Sequence, residues 1–157
     1  MSVIKPSNEN HKKANIAIVT ALFNEELTTK LEQGAISQLA EFGMEPMARV
    51  YVPGAVEIPL AVKALLDKPE CDGVVALGIV IRGETSHYDY VCNAVERGCS
   101  QLALEYKKPV AFGVLTTENR SQAESRCGGA KGNKGAEAAA VTLDMLQVLD
   151  SVNKLES

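Results

Sequence analysis

The sequence contains no tryptophan, and aromatic residues make up only 4% of it. It has two histidines, His11 and His87, and four cysteines, at positions 71, 92, 99 and 127, with no Cys-x-x-Cys spacing. A zinc site built from Cys and His is therefore not expected, and no metal is assigned. There is no run of basic residues, and the net charge is −4. That balance argues against nucleic acid or an anionic membrane as a partner. The longest apolar run, residues 74–81, falls far short of the about 20 residues a membrane-spanning helix needs. Residues 1–6 lack the apolar centre of a signal peptide. The expected setting is cytoplasmic, with reduced thiols. Cys92 and Cys99 lie seven apart on an expected helix and read as small core residues.

What is present is an ordinary globular composition, 157 residues with 46% hydrophobic and 23% charged. That length fits one domain able to bury roughly two-thirds of the unfolded chain's surface. Residues 1–14 are polar and read as a flexible arm, followed by one domain over 15–157. Apolar runs at 16–19, 49–52, 73–81 and 110–115 read as strands. Between them lie helical patterns. The first carries Leu27, Leu31, Ala35, Leu39 and Phe42, with Gly43 at its C-terminal end. A second covers residues 57–67, with Pro59 tolerated in its first turn. A long third carries Val91, Val95, Cys99, Leu102 and Tyr106, and a short one spans 119–126. A glycine-rich turn at 128–135 precedes a last helix over 136–152. The continuous apolar run 73–81 is that of a central parallel strand covered on both faces. The expected fold is α/β: a three-layer αβα arrangement with a four-stranded parallel sheet flanked by helices, in a flavodoxin-like topology.

In such sheets ligands bind beyond the C-terminal ends of the strands. Four polar clusters follow those ends: Phe23-Asn24, Pro53 to Glu57, Arg82 to His87, and Thr116-Thr117 with Gln122 and Arg126. They are expected to meet at one rim and form a small-molecule site. Each has a plainer reading. Phe23 either plugs the sheet edge or stacks on a planar ligand. Glu57 either complements a helix dipole or accepts ligand hydroxyls beside Gly54. Thr85 or Ser86 caps the long helix, whose N-terminus is also an anion site. His87, in the same turn, can move protons near neutral pH. Arg126 is either a solvated side chain or a phosphate clamp. His11 receives no role. The stretch 128–135 fails as a P-loop, because Asn133 and Gly135 stand where a glycine and a hydroxyl are required and a helix precedes it. It reads as an interhelical turn offering Lys131 or Lys134 to an anion. A receiver domain fails too, for want of acids after the first strand.

Five of these segments, in order, resemble the 6,7-dimethyl-8-ribityllumazine synthase family over about residues 16–150. They are Phe23-Asn24, the stretch 52–59 (VPGAVEIP), the stretch 78–87 (GIVIRGETSH), the run 112–117 (FGVLTT) and 132–135 (GNKG). The resemblance implies a transferase of riboflavin biosynthesis. The family condenses 5-amino-6-(D-ribitylamino)uracil with 3,4-dihydroxy-2-butanone 4-phosphate, without metal or organic cofactor. It further implies that Phe23 stacks on the pyrimidine, with Asn24 beside it among the substrate-binding residues. Ala55, Val56 and Glu57 would hold the ribityl chain, and Val80 and Ile81 the ring. Glu84 and Thr85 would stand at the phosphate end, the Glu84 side chain pointing away. His87 matches the proton-transfer residue and Arg126 the phosphate-binding arginine. Lys134 would be a second cation, Glu137 a carboxylate orienting Arg126, and Phe112 an edge of the ring pocket. In the family Phe112, Arg126 and Lys134 come from the adjacent subunit of a homopentamer, and some members build an icosahedral capsid of twelve pentamers.

Overall fold

The computed structural model describes residues 1–9 and 11–156. The order of elements is β1 (Ile16–Ala21), α1 (Glu25–Glu41), β2 (Ala48–Val52), a 3-10 turn (Ala55–Glu57), α2 (Ile58–Leu66), β3 (Gly73–Ile81) and α3 (His87–Tyr106). There follow β4 (Val110–Thr117), α4 (Arg120–Ser125), β5 (Cys127–Gly129), β6 (Gly132–Asn133) and α5 (Lys134–Asn153). The first four strands form one parallel sheet in the order β2-β1-β3-β4. This is the expected three-layer α/β architecture, with β2 and β4 as free edges.

Alternation along the strands divides the core in two. Ile16, Ile18, Val75, Leu77 and Ile79 face α1 and α5. Ala17, Val19, Val74 and Ala76 face α2 and α3. With both faces covered, β1 and β3 read as unbroken apolar runs. Cys99 lies in the second core, where burial pushes its thiol up to about 12 and keeps it protonated. Cys92, two turns earlier on the same helix face, is only half-buried, so it is not the core residue expected.

Several boundaries differ from the sequence expectation. The helix expected over 57–67 is α2 at Ile58–Leu66, with Pro59 in its first turn, and a 3-10 turn at Ala55–Glu57 precedes it. The strand β4 continues to Thr117 because its last residues pair with Val80 and Ile81. The glycine-rich stretch folds into a two-stranded ribbon, β5-β6, with Gly128 and Gly132 at positive φ. The helix α5 starts at Lys134, two residues early, because the Asn133 side chain caps it by accepting from the Ala136 N–H at 3.0 Å. Asn133 also donates to the Lys30 carbonyl at 3.0 Å, tying the start of α5 to α1.

The N-terminal segment lies along α5. The Ser7 N–H donates to Gln147 Oε1 at 2.8 Å, and Lys12 pairs with Asp150 at 3.2 Å. His11 has a 3% exposed side chain, stands edge-on to Phe42 and approaches Asp144 at 3.3 Å.

Candidate active site

The ends of β1 and β2 are joined before any side chain is considered. The Leu22 N–H donates to the Val52 carbonyl at 2.8 Å, and the Phe23 N–H to the Pro53 carbonyl at 3.0 Å. These bonds hold the Phe23 turn against the Gly54–Glu57 turn. Asn24 turns the chain into α1 in the left-handed conformation, at φ 64°, and its Nδ2 donates to the Ile79 carbonyl at 3.1 Å. The result is a cleft of about 540 Å³ lined by Phe23, Gly54 to Glu57, Ile79 to Ile81, Gly83, Thr85, His87, Tyr88 and Val91. Phe23 is 71% exposed, so its ring is available for stacking rather than used as a core plug. The Glu57 carboxylate lies beside Gly54, 3.6 Å from where a Cβ on that glycine would stand.

The far wall of this cleft is the start of α3. Ser86 occupies the capping position without a side-chain bond, and Thr85 Oγ accepts from the His87 N–H at 3.3 Å instead. The Asp89 N–H donates to the Ser86 carbonyl at 3.0 Å, and the positive end of the dipole of this 20-residue helix favours an anion. Tyr88 was not among the residues expected from sequence. Burial pushes its phenol above the ordinary range. Its only sequence signal is adjacency to His87.

Phe112, Arg126 and Lys134 stand elsewhere. With Gly113 to Thr117 and Gln122, they line a groove of about 390 Å³ along the free edge of β4. No described residue lines both this groove and the cleft, so the four clusters expected at one rim form two separate concavities. The Lys134 N–H donates to the Arg126 carbonyl at 2.9 Å, joining the backbones of two residues that both line the groove. Arg126 Nη1 donates to the Gln122 carbonyl at 2.8 Å and to Ser125 Oγ at 3.1 Å. Glu137 does not orient Arg126 as expected; it pairs with Lys134 at 3.2 Å, one turn earlier on the same helix face. Asn24 and Glu84 are not among the residues lining the cleft: Asn24 is turned to Ile79, and Glu84 is exposed. Among the described residues, no group of three or more His, Cys, Asp or Glu could hold a metal ion. No helix among them is long and apolar enough to cross a membrane.

A sequence model of 6,7-dimethyl-8-ribityllumazine synthase matches residues 13–150. Three relatives carry the name 6,7-dimethyl-8-ribityllumazine synthase. The one from Bdellovibrio bacteriovorus is 56% identical over 140 residues, covering 89% of this chain and 78% of that protein. The Coxiella burnetii protein is 48% identical over 139 residues, covering 87% and 92%. The Thermus thermophilus protein is 42% identical over 145 residues, covering 91% and 92%.

Proposed function

The chain belongs to the 6,7-dimethyl-8-ribityllumazine synthase family, and on that premise we propose how its residues carry the reaction. It condenses 5-amino-6-(D-ribitylamino)uracil with 3,4-dihydroxy-2-butanone 4-phosphate, releasing phosphate and two waters as 6,7-dimethyl-8-(D-ribityl)lumazine forms. The observation that carries this reading is the cleft that gathers Phe23, Glu57, Thr85 and His87. Phe23 stacks on the pyrimidine, and the Val80 and Ile81 backbone borders the ring. Glu57, with Ala55 and Val56, accepts the ribityl hydroxyls. Thr85 and the α3 N-terminus face the phosphate, and Arg126 with Lys134 completes its cradle from a neighbouring copy. Phe112 of that neighbour closes the ring pocket.

The chemistry suits these groups. The uracil amine attacks the ketone, the carbinolamine loses water to an imine, phosphate leaves, and ring closure expels a second water. Each step moves a proton, the role of His87. Holding amine and ketone together removes much of the entropic barrier. The cations stabilise the departing phosphate.

The working unit is a homopentamer in the cytoplasm, either free or as one of twelve in an icosahedral shell. Two observations support a head-to-tail ring. The residues proposed for one reaction lie in two separate concavities of the chain. Large apolar residues also stay exposed in two different places: Leu104, Val141 and Val152 beside the β4 edge, and Val56, Leu60 and Tyr90 on the elements bearing the cleft. A heterologous ring joins two different surfaces of this kind.

The test is to mix the chain with both substrates and follow lumazine absorbance together with phosphate release. Equal amounts of the two products are expected; phosphate without lumazine, or neither, would overturn the assignment. Native mass measurement reads the assembly, and a monomer would refute the shared site.

A further inference from the structure

We infer that Arg82 is a positioning residue that sets where the N-terminus of α3, with Thr85 and His87, stands relative to the end of β4. The inference rests on the proposed condensation for its kinetic readout. Arg82 is the first residue past β3, and its N–H donates to the Thr117 carbonyl at 2.8 Å, pinning its backbone to β4. Its side chain then joins two elements. Nε meets Glu118 Oε2 at 2.8 Å, just beyond β4, and Nη2 donates to Asp89 Oδ1 at 3.3 Å in the first turn of α3. The guanidinium also lies over the Tyr88 ring, 4.4 Å from its centre. One planar cation thus holds the two residues that follow His87. This fork-and-face geometry suits arginine and not lysine.

Full burial in α3 begins only at Val95; before it Tyr88, Val91 and Cys92 are half-buried, Val91 against the second core, while His87, Asp89 and Tyr90 are exposed. In the link before α3, a Cβ on Gly83 would meet no atom within 4 Å, and Glu84, Thr85 and Ser86 are exposed. Partly exposed ion pairs contribute little to global stability, so the effect of Arg82 falls on local placement. Displacing Thr85 and His87 damages the chemistry and the phosphate end. The pyrimidine pocket of Phe23, Glu57 and the β3 backbone is untouched.

The test is steady-state kinetics on intact assemblies of the wild type, Arg82→Ala, Arg82→Lys, Glu118→Gln and the double variant Arg82→Ala/Glu118→Gln. Arg82→Ala is expected to lower kcat about ten-fold and to raise KM for the butanone phosphate several-fold, since a small misplacement of reacting groups is costly. KM for the ribitylaminouracil stays within about two-fold. Arg82→Lys recovers part of the rate, and the double variant is no slower than Arg82→Ala, because both substitutions break one network. Native mass and the urea midpoint remain those of the wild type, which separates positioning from loss of fold. Unchanged kcat in Arg82→Ala, equal KM rises for both substrates, or fully additive losses would overturn the inference while leaving the condensation standing. A wild-type chain that forms no lumazine would overturn both.

Discussion

His87 opens α3 as an exposed side chain at the wall of the cleft, its N–H held by Thr85. A group that moves protons without holding the ring has a distinct kinetic signature. His87→Ala should lower kcat about ten-fold or more with little change in KM for the pyrimidine. An unchanged kcat in this variant would remove the imidazole from the mechanism. Arg126→Ala should cost about 2–4 kcal/mol in kcat/KM for the butanone phosphate and far less for the pyrimidine. Equal losses would mark a structural arginine. Both residues were singled out in the sequence as chemically distinctive side chains, His87 where α3 opens after β3 and Arg126 at the end of the short helix after β4, and these variants test the roles proposed for them. Asn24 was less legible. Its type suits a ligand contact equally well, and only the left-handed turn and the bond to Ile79 show that its amide is taken. Arg82 was placed in a polar cluster but given no role, and Tyr88 was not named, for a related reason. Their partners come together only once β3 and β4 are known to be neighbours.

Among the elements, β3 was readable at both ends, because a strand covered on two faces needs an apolar residue or glycine at every position. Helix starts were harder to place, since the 3-10 turn and the Asn133 cap depend on individual hydrogen bonds rather than on periodicity. The β5-β6 ribbon was read as a turn because its glycines carry no strand signal. The contact between α1 and α5 gives a test at this scale. Gly135 lies in the first turn of α5, where a Cβ would overlap the Leu31 carbonyl of α1. Glycine to alanine inside a helix ordinarily stabilises by about 1 kcal/mol. Here Gly135→Ala should instead destabilise by about 2 kcal/mol or more, because the rigid carbonyl cannot yield. Urea unfolding with unchanged m-value reads this directly, and a stabilised variant would show that the two helices separate at little cost.

For the whole molecule, the decisive feature is that the chain carries two separate concavities. The cleft has the aromatic ring, the carboxylate and the imidazole; the β4 groove has the guanidinium and the ammonium. Neighbouring copies in a ring would bring one of each together, so the central claim is that every site is shared. The most direct measurement co-assembles His87→Ala and Arg126→Ala chains, mixed one to one after dissociation. Random mixing is confirmed by native mass. Each variant alone should be slow. In the mixture, roughly a quarter of the sites pair an intact cleft with an intact groove, as a heterologous interface requires. The co-assembled ring should therefore recover about a quarter of the wild-type rate, while preformed rings of each variant mixed without exchange should recover none. Co-assembled rings no faster than the average of the two variants would show that the cleft and the groove do not act across copies, contradicting the account.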